Sequence, residues 1–141
     1  MADSEPDCIF CAIVRGDAES SRIYEDDSVL VFLVLQPVNP GHMVVIPKAH
    51  FEGLADLDEE IGMQIFKVGQ AMAGLLRGSG LRCEGIDMFV ADGAAAFQEV
   101  FHFHLHVFPR WEGDDFRLSA DWRYWSRAEL DGVADQLRAA L

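Results

Sequence analysis

Positive charge is scarce in this sequence. Lys and Arg together number 11 against 24 Asp and Glu, a formal net charge of -13. Such a surface repels phosphate backbones and anionic lipids, which argues against a general nucleic-acid or membrane binder. One anionic small molecule held in a local pocket remains compatible with it. Long hydrophobic runs are also missing. The longest are short, as over residues 29–35, and none approaches the roughly 20 residues of a membrane span. No secretory signal opens the chain. Cysteine is sparse and odd in number: Cys8, Cys11 and Cys83. That pattern excludes a disulfide framework and points to a reducing, cytoplasmic compartment. There is no internal repeat, no low-complexity tract and no linker, so the 141 residues read as one domain.

Half of the residues are hydrophobic, enough for a real core. Residues 1–7 are polar and acidic and read as a loose lead-in. Residues 21–25 and 29–35 read as strands around the acidic pair Asp26-Asp27. Residues 37–41 carry two prolines and a glycine and break the chain. Residues 42–46 resume as a strand ended by Pro47. The period then changes: Ile61, Ile65, Val68, Met72, Leu75 and Leu76 share one helix face. Asp56 or Asp58 can cap that helix, and Gly78 and Gly80 close it. Residues 86–91 and 100–109 read as strands. Ser126 and Glu129 make a capping box for a last helix striped by Leu130, Val133, Leu137 and Leu141. Strands joined by short turns around one long helix predict an α+β antiparallel sheet.

The most informative segment is Phe-His-Phe-His-Leu-His-Val-Phe-Pro over residues 101–109. In a strand, alternate side chains point to opposite faces. His102, His104 and His106 then share a face while Phe103, Leu105 and Val107 enter the core. Three readings stand at this point. The histidines decorate a solvated face; or they share one zinc ion as a catalytic centre; or one is a nucleophile, since neutral imidazole can attack phosphorus, and a neighbour moves the proton. Cys8-x-x-Cys11 likewise reads as metal ligands, a redox pair, or two small buried side chains.

His-φ-His-φ-His-φ-φ, with φ apolar, spans residues 102–108 and resembles the signature of the histidine-triad (HIT) family. The likeness extends upstream through Pro40-Gly41-His42 and Pro47-Lys48-Ala-His50 to Cys8-Ile-Phe-Cys11, and downstream to Pro109-Arg110. It is similar to the bacterial Hint/Fhit-like branch with a Cys-x-x-Cys N-terminus. The resemblance implies a single HIT-like domain over residues 8–141. It implies a hydrolase that cleaves a nucleoside 5′-phosphate derivative, a phosphoramidate or a dinucleoside polyphosphate, at the α-phosphorus. The nucleophile would be His104, forming a phosphohistidine. His106 would contact the phosphate and leaving atom, and His42 would orient the pair. Backbone N–H groups at Gln98, Glu99 and Val100 would hold the non-bridging oxygens. Cys8, Cys11, His50 and His102 would bind a structural zinc ion, with no metal required for the chemical step. The partner would be a nucleotide small molecule, not nucleic acid or membrane, and the assembly a homodimer.

The sequence departs from that pattern at three points. Val34 stands where relatives hold ribose hydroxyls with Asp or Asn. Ala91 stands where they bond phosphate with Asn or Gln. Phe97 replaces a loop glycine. These differences keep a nucleotide-binding protein with little turnover as an alternative, beside a zinc hydrolase built on the three histidines. The aromatic stretch over residues 111–125 is expected either to fold over the core or to form a partner surface or lid.

Overall fold

The computed structural model describes residues 4–141. Residues 1–3 of the expected lead-in lie outside the described residues. The elements run α1 (Ile9–Arg15), β1 (Arg22–Glu25), β2 (Val29–Leu33), β3 (Met43–Pro47), α2 (Glu59–Gly78), β4 (Gly85–Phe89), β5 (Leu105–Arg110) and α3 (Arg127–Ala139). The five strands form one sheet in the order β1-β2-β3-β5-β4. Every neighbouring pair is antiparallel. The α+β reading therefore holds.

The two faces of the sheet follow from strand parity. Val29, Val31, Met43, Val45, Leu105 and Val107 meet Ile65, Val68, Met72 and Leu76 of α2. Each fully buried aliphatic side chain of this kind contributes about 1.5–3 kcal/mol. Gly69 permits the close approach, since a Cβ there would stand 2.8 Å from the Leu105 side chain. Leu30, Phe32, Val44 and Ile46 point the other way, against Ile13, Phe10 and Val14 from the α1 segment. The even-numbered histidines belong to this second face, so α2 and the imidazoles lie on opposite sides of the sheet.

Several boundaries differ from the sequence expectation. The α1 helix was not expected: seven residues rich in β-branched and aromatic side chains carry little helical signal. The Cys8 side chain caps it by accepting from the Cys11 N–H, and Gly16 ends it in the left-handed conformation at φ 85°. Asp58 caps α2, whereas Asp56 accepts from the N–H groups of Glu52 and Gly53 in the preceding turn. The expected capping box of α3 is present, with both Ser126 and Glu129 bonds made.

The aromatic stretch covers the core only as far as Phe116, whose ring packs on Phe108 and under Arg110. Beyond it, Leu118, Trp122, Tyr124 and Trp125 are exposed, as are Leu130, Val133 and Leu137 of α3. The expectation of a tail folded over the core is corrected there: these side chains stand in solvent. Among the described residues no helix is long and apolar enough to cross a membrane.

Candidate functional site

The strand that carries the last histidine begins at Leu105 rather than at residue 100. Ahead of it the chain turns to bond elsewhere, with the Phe103 N–H donating to Phe51 O at 2.6 Å. The alternation nevertheless continues through this extension. Phe103, Leu105 and Val107 are buried on the α2 side, while His102, His104 and His106 occupy the opposite side. The expected separation of imidazoles from core residues is present without a continuous ladder.

Sheet register brings the remaining groups together. His106 pairs with Val44 on β3 and with Phe89 on β4. His42, just before β3, packs on His106 with ring centroids 5.1 Å apart, and His104 lies 4.9 Å from His106. The Phe10 ring stands edge-on to His104 at 5.2 Å. The sequence assigns Phe10 no role beyond its place in Cys8-Ile-Phe-Cys11, because the α1 helix that aims it carries little signal.

Fixed backbone groups determine the imidazole tautomers. His104 Nδ1 lies 2.7 Å from His102 O. A carbonyl only accepts, so Nδ1 carries the proton and Nε2 keeps the lone pair. The Val38 N–H donates to His42 Nδ1 at 2.9 Å. Its Nε2 therefore carries the proton and faces His106 Nδ1, 2.9 Å away. Consequently His106 accepts at Nδ1 and carries its own proton on Nε2. One imidazole thus offers a lone pair and its neighbour offers a proton.

Burial keeps these rings neutral. It pushes His42 and His106 down to about 4; for His106 the nearby His104 and His42 add to the effect. His104 is lowered as well, again chiefly by burial.

A second cluster adjoins the first. One donor atom each from Cys8, Cys11, His50 and His102 lies within 4.8 Å of the others. His102 Nδ1 is 3.5 Å from both sulfurs, and Cys11 Sγ is 3.4 Å from His50 Nδ1. A tetrahedral zinc ion with usual bond lengths sets an S···N edge of about 3.6 Å, so the donor set fits. The His102 Nε2–H donates to Pro47 O at 2.7 Å, which leaves Nδ1 free to ligate. His104 and His106 engage other partners through Nδ1, and the structure does not gather the three histidines into one metal-holding group.

The loop before the histidines is held from within. Gln98 is buried; its carboxamide donates to Glu52 O and Val100 O and accepts from the Gly93 N–H. Its own N–H donates to Gly93 O. Gln98 thus differs from its expected place as a substrate donor: it is a strut. The amides of Glu99 and Val100 make no such bond among the described residues. A cleft of about 380 Å³ lies between Glu99, Val100 and Phe101 on one side and Cys8 and Ile9 on the other. Val34 is half-buried against the cluster of Ile13, Leu30, Phe32, Val44 and Ile46, and Ala91 is buried.

Residues 15–113 match the family model described as HIT domain. The chain is 35% identical over 132 residues to a protein named adenylylsulfatase HINT3 from Arabidopsis thaliana, covering 93% of this chain and 66% of that one. A crystal structure of a HIT family protein from Bacillus anthracis superposes with a TM-score of 0.84 at 34% identity, covering 98% of this chain and 99% of that one. A zinc-bound histidine triad family protein from Mycobacterium smegmatis gives a TM-score of 0.75 at 43% identity, covering 96% of this chain and 98% of that one.

Proposed function

The chain belongs to the HIT domain family, and on that premise we propose that it hydrolyses a nucleoside 5′-phosphate derivative at the α-phosphorus. The observation that carries this reading is the Nδ1 contact of His104 with the His102 carbonyl, which leaves Nε2 as a nucleophile beside the proton on His106. His104 Nε2 attacks phosphorus and the bond to the leaving group breaks. The departing atom takes the Nε2 proton of His106, leaving that ring an imidazolate, hydrogen-bonded by His42 Nε2–H, beside the positively charged phosphohistidine of His104, which keeps its Nδ1 proton. Water then attacks the phosphohistidine, returns a proton to His106, and releases the nucleoside 5′-monophosphate with His104 restored. The Glu99 and Val100 amides, which make no hydrogen bond among the described residues, would receive the charge of the non-bridging oxygens. The relative named adenylylsulfatase supports a substrate with a leaving group on a nucleotide phosphate. Phosphoramidates and dinucleoside polyphosphates are the two candidate classes.

Cys8, Cys11, His50 and His102 would hold zinc. Four protein donors leave no open position, so the ion would be structural, tying α1 to the histidine segment. The zinc-bound relative supports this assignment. Unpaired Cys8, Cys11 and Cys83 fit a cytoplasmic setting, and the net charge of -13 favours a small-molecule partner over nucleic acid. The exposed Met63 and Phe66 on α2, with the apolar stripe of α3, support a homodimer.

The test is product formation from adenosine 5′-phosphoramidate and a diadenosine polyphosphate, beside the His104→Ala variant. Turnover by the native chain alone, with an acid-quenched adenylyl adduct on His104, is the expected result. Turnover retained in a folded His104→Ala protein would overturn the mechanism. Nucleotide binding without product would favour the binding-protein reading, which the apolar Val34 and Ala91 support.

A further inference from the structure

We propose that Asn39, clamped by Asp114, is a positioning residue that fixes the tautomer of His42 and thereby the proton-donating end of His106. The inference rests on the role given to His106 above.

The loop over residues 37–41 makes two bonds with His42. The Val38 N–H donates to His42 Nδ1 at 2.9 Å, and the His42 N–H donates to Asn39 O at 3.0 Å. The two neutral tautomers of a free imidazole lie close in energy, so one fixed donor decides between them. What must be explained is why that donor stays in place.

Asn39 supplies the reason. It is buried, at 7% exposure, and its Nδ2 donates to Pro109 O at 2.9 Å and to Asp114 Oδ2 at 2.8 Å. Both amide hydrogens are engaged, so the carboxamide cannot rotate. Asp114 is itself rigid. The Arg110 guanidinium grips both carboxylate oxygens at 2.6 and 2.8 Å. That grip holds the Asp114 carboxyl well below the usual carboxylate range. Arg110 is tied in turn to Asp87 at 2.7 Å. The loop is thus fastened to the far end of β5, the strand that carries His106.

Release of the clamp has a defined consequence. If the Val38 N–H leaves, His42 can protonate at Nδ1 and accept at Nε2. His106 must then protonate Nδ1 to keep the 2.9 Å contact between the rings. Its Nε2 becomes a lone pair with no proton to give. His104 is unaffected, because its tautomer depends on the His102 carbonyl instead.

The experiment is nitrogen-15 NMR of the histidine-labelled full chain, without substrate, for the native protein and Asn39→Ala at neutral pH. The native spectrum should show protonated Nε2 on His42 and His106 and protonated Nδ1 on His104. Asn39→Ala should mix the tautomers of His42 and His106 and leave His104 alone. With adenosine 5′-phosphoramidate, kcat should fall by about tenfold or more, below the full general-acid effect of about 10²–10⁴, while KM stays within about twofold. Native tautomers retained in folded Asn39→Ala, or a protonated Nδ1 on His42 in the native protein, would overturn the proposal. Should Asn39→Ala not fold, Asp114→Asn keeps the shape and weakens the acceptor. It should give a partial version of the same mixing, and an unchanged spectrum would overturn the clamp. Because the spectrum needs no substrate, an inactive native protein whose assigned tautomers mix in Asn39→Ala would defeat the hydrolase reading and still support the clamp.

Discussion

His42 Nε2 lies 2.9 Å from His106 Nδ1, and the Val38 N–H on the far side of His42 gives that contact a direction. The proton belongs to His42, so His106 keeps a second proton on Nε2. Residues more than 60 positions apart in sequence act as one unit here, because antiparallel pairing of β3 with β5 sets Val44 opposite His106.

The first prediction concerns the leaving group. An amine leaves phosphorus as a strong base and needs a proton, whereas a nucleotide leaves as a weak base. His106→Gln should therefore reduce kcat on adenosine 5′-phosphoramidate by about 10²–10⁴, and much less on a diadenosine polyphosphate. Parallel steady-state kinetics on the two substrates check this. Equal losses on both would remove His106 from the proton step.

The second prediction is a pH dependence of stability. His42 and His106 titrate near 6.5 when exposed and at about 4 in the folded chain, because burial disfavours the charged ring. Between those values the unfolded chain binds more protons than the folded one. Stability contributed by these groups is therefore fully present above about 6.5 and is lost as pH falls toward about 4. Thermal melts from pH 7 to 4 should show a falling Tm, with a shallower fall in His106→Gln. Identical slopes would show that His106 does not carry the effect.

The sequence shows much of this arrangement because strands and helices differ in period. Alternation placed Phe103, Leu105 and Val107 in the core opposite the histidines, and the three-to-four spacing of Ile61 to Leu76 located α2. What remained illegible lacks a period. The α1 helix is seven residues long and capped by a cysteine, so Phe10 could not be placed against His104. Asn39 sits in a proline-rich break, and its partner Asp114 is 75 residues away. The Gln98 strut depends on loop bonds to Glu52 and Gly93, which no local pattern announces.

The third prediction concerns the metal. The purified chain should hold one zinc ion, by elemental analysis. Cys11→Ser should remove it, since the Cys11 sulfur approaches both His50 and His102. An ion present at a hundred times its Kd stabilises by about 2.7 kcal/mol, which for a chain of this size is a Tm shift of about 10 °C. Strong chelation should lower Tm by that order. The ion would fasten α1, so Tm should fall before the chemistry does. An unchanged Tm after verified metal removal would show that the four donors hold no structural ion.

The fourth prediction turns on Phe97. It is the one non-glycine residue with positive φ among the described residues, at 68°, and its side chain is 84% exposed. A bulky side chain in the left-handed region costs about 1–2 kcal/mol. An exposed ring returns little burial energy against that. Glycine removes the strain but gives the unfolded chain more freedom, a penalty of about 0.4–1 kcal/mol. Phe97→Gly should therefore raise stability by about 0.8 kcal/mol, the difference between the midpoints of those terms, in denaturant unfolding at constant m-value. The loop bonds of Gln98 to Gly93 and Glu52 do not involve the Phe97 side chain, so the strut should persist. Kinetics then separate two roles for the ring. If KM for the nucleotide rises in a more stable Phe97→Gly protein, the strained phenyl contacts substrate. If KM is unchanged, the strain serves no binding purpose.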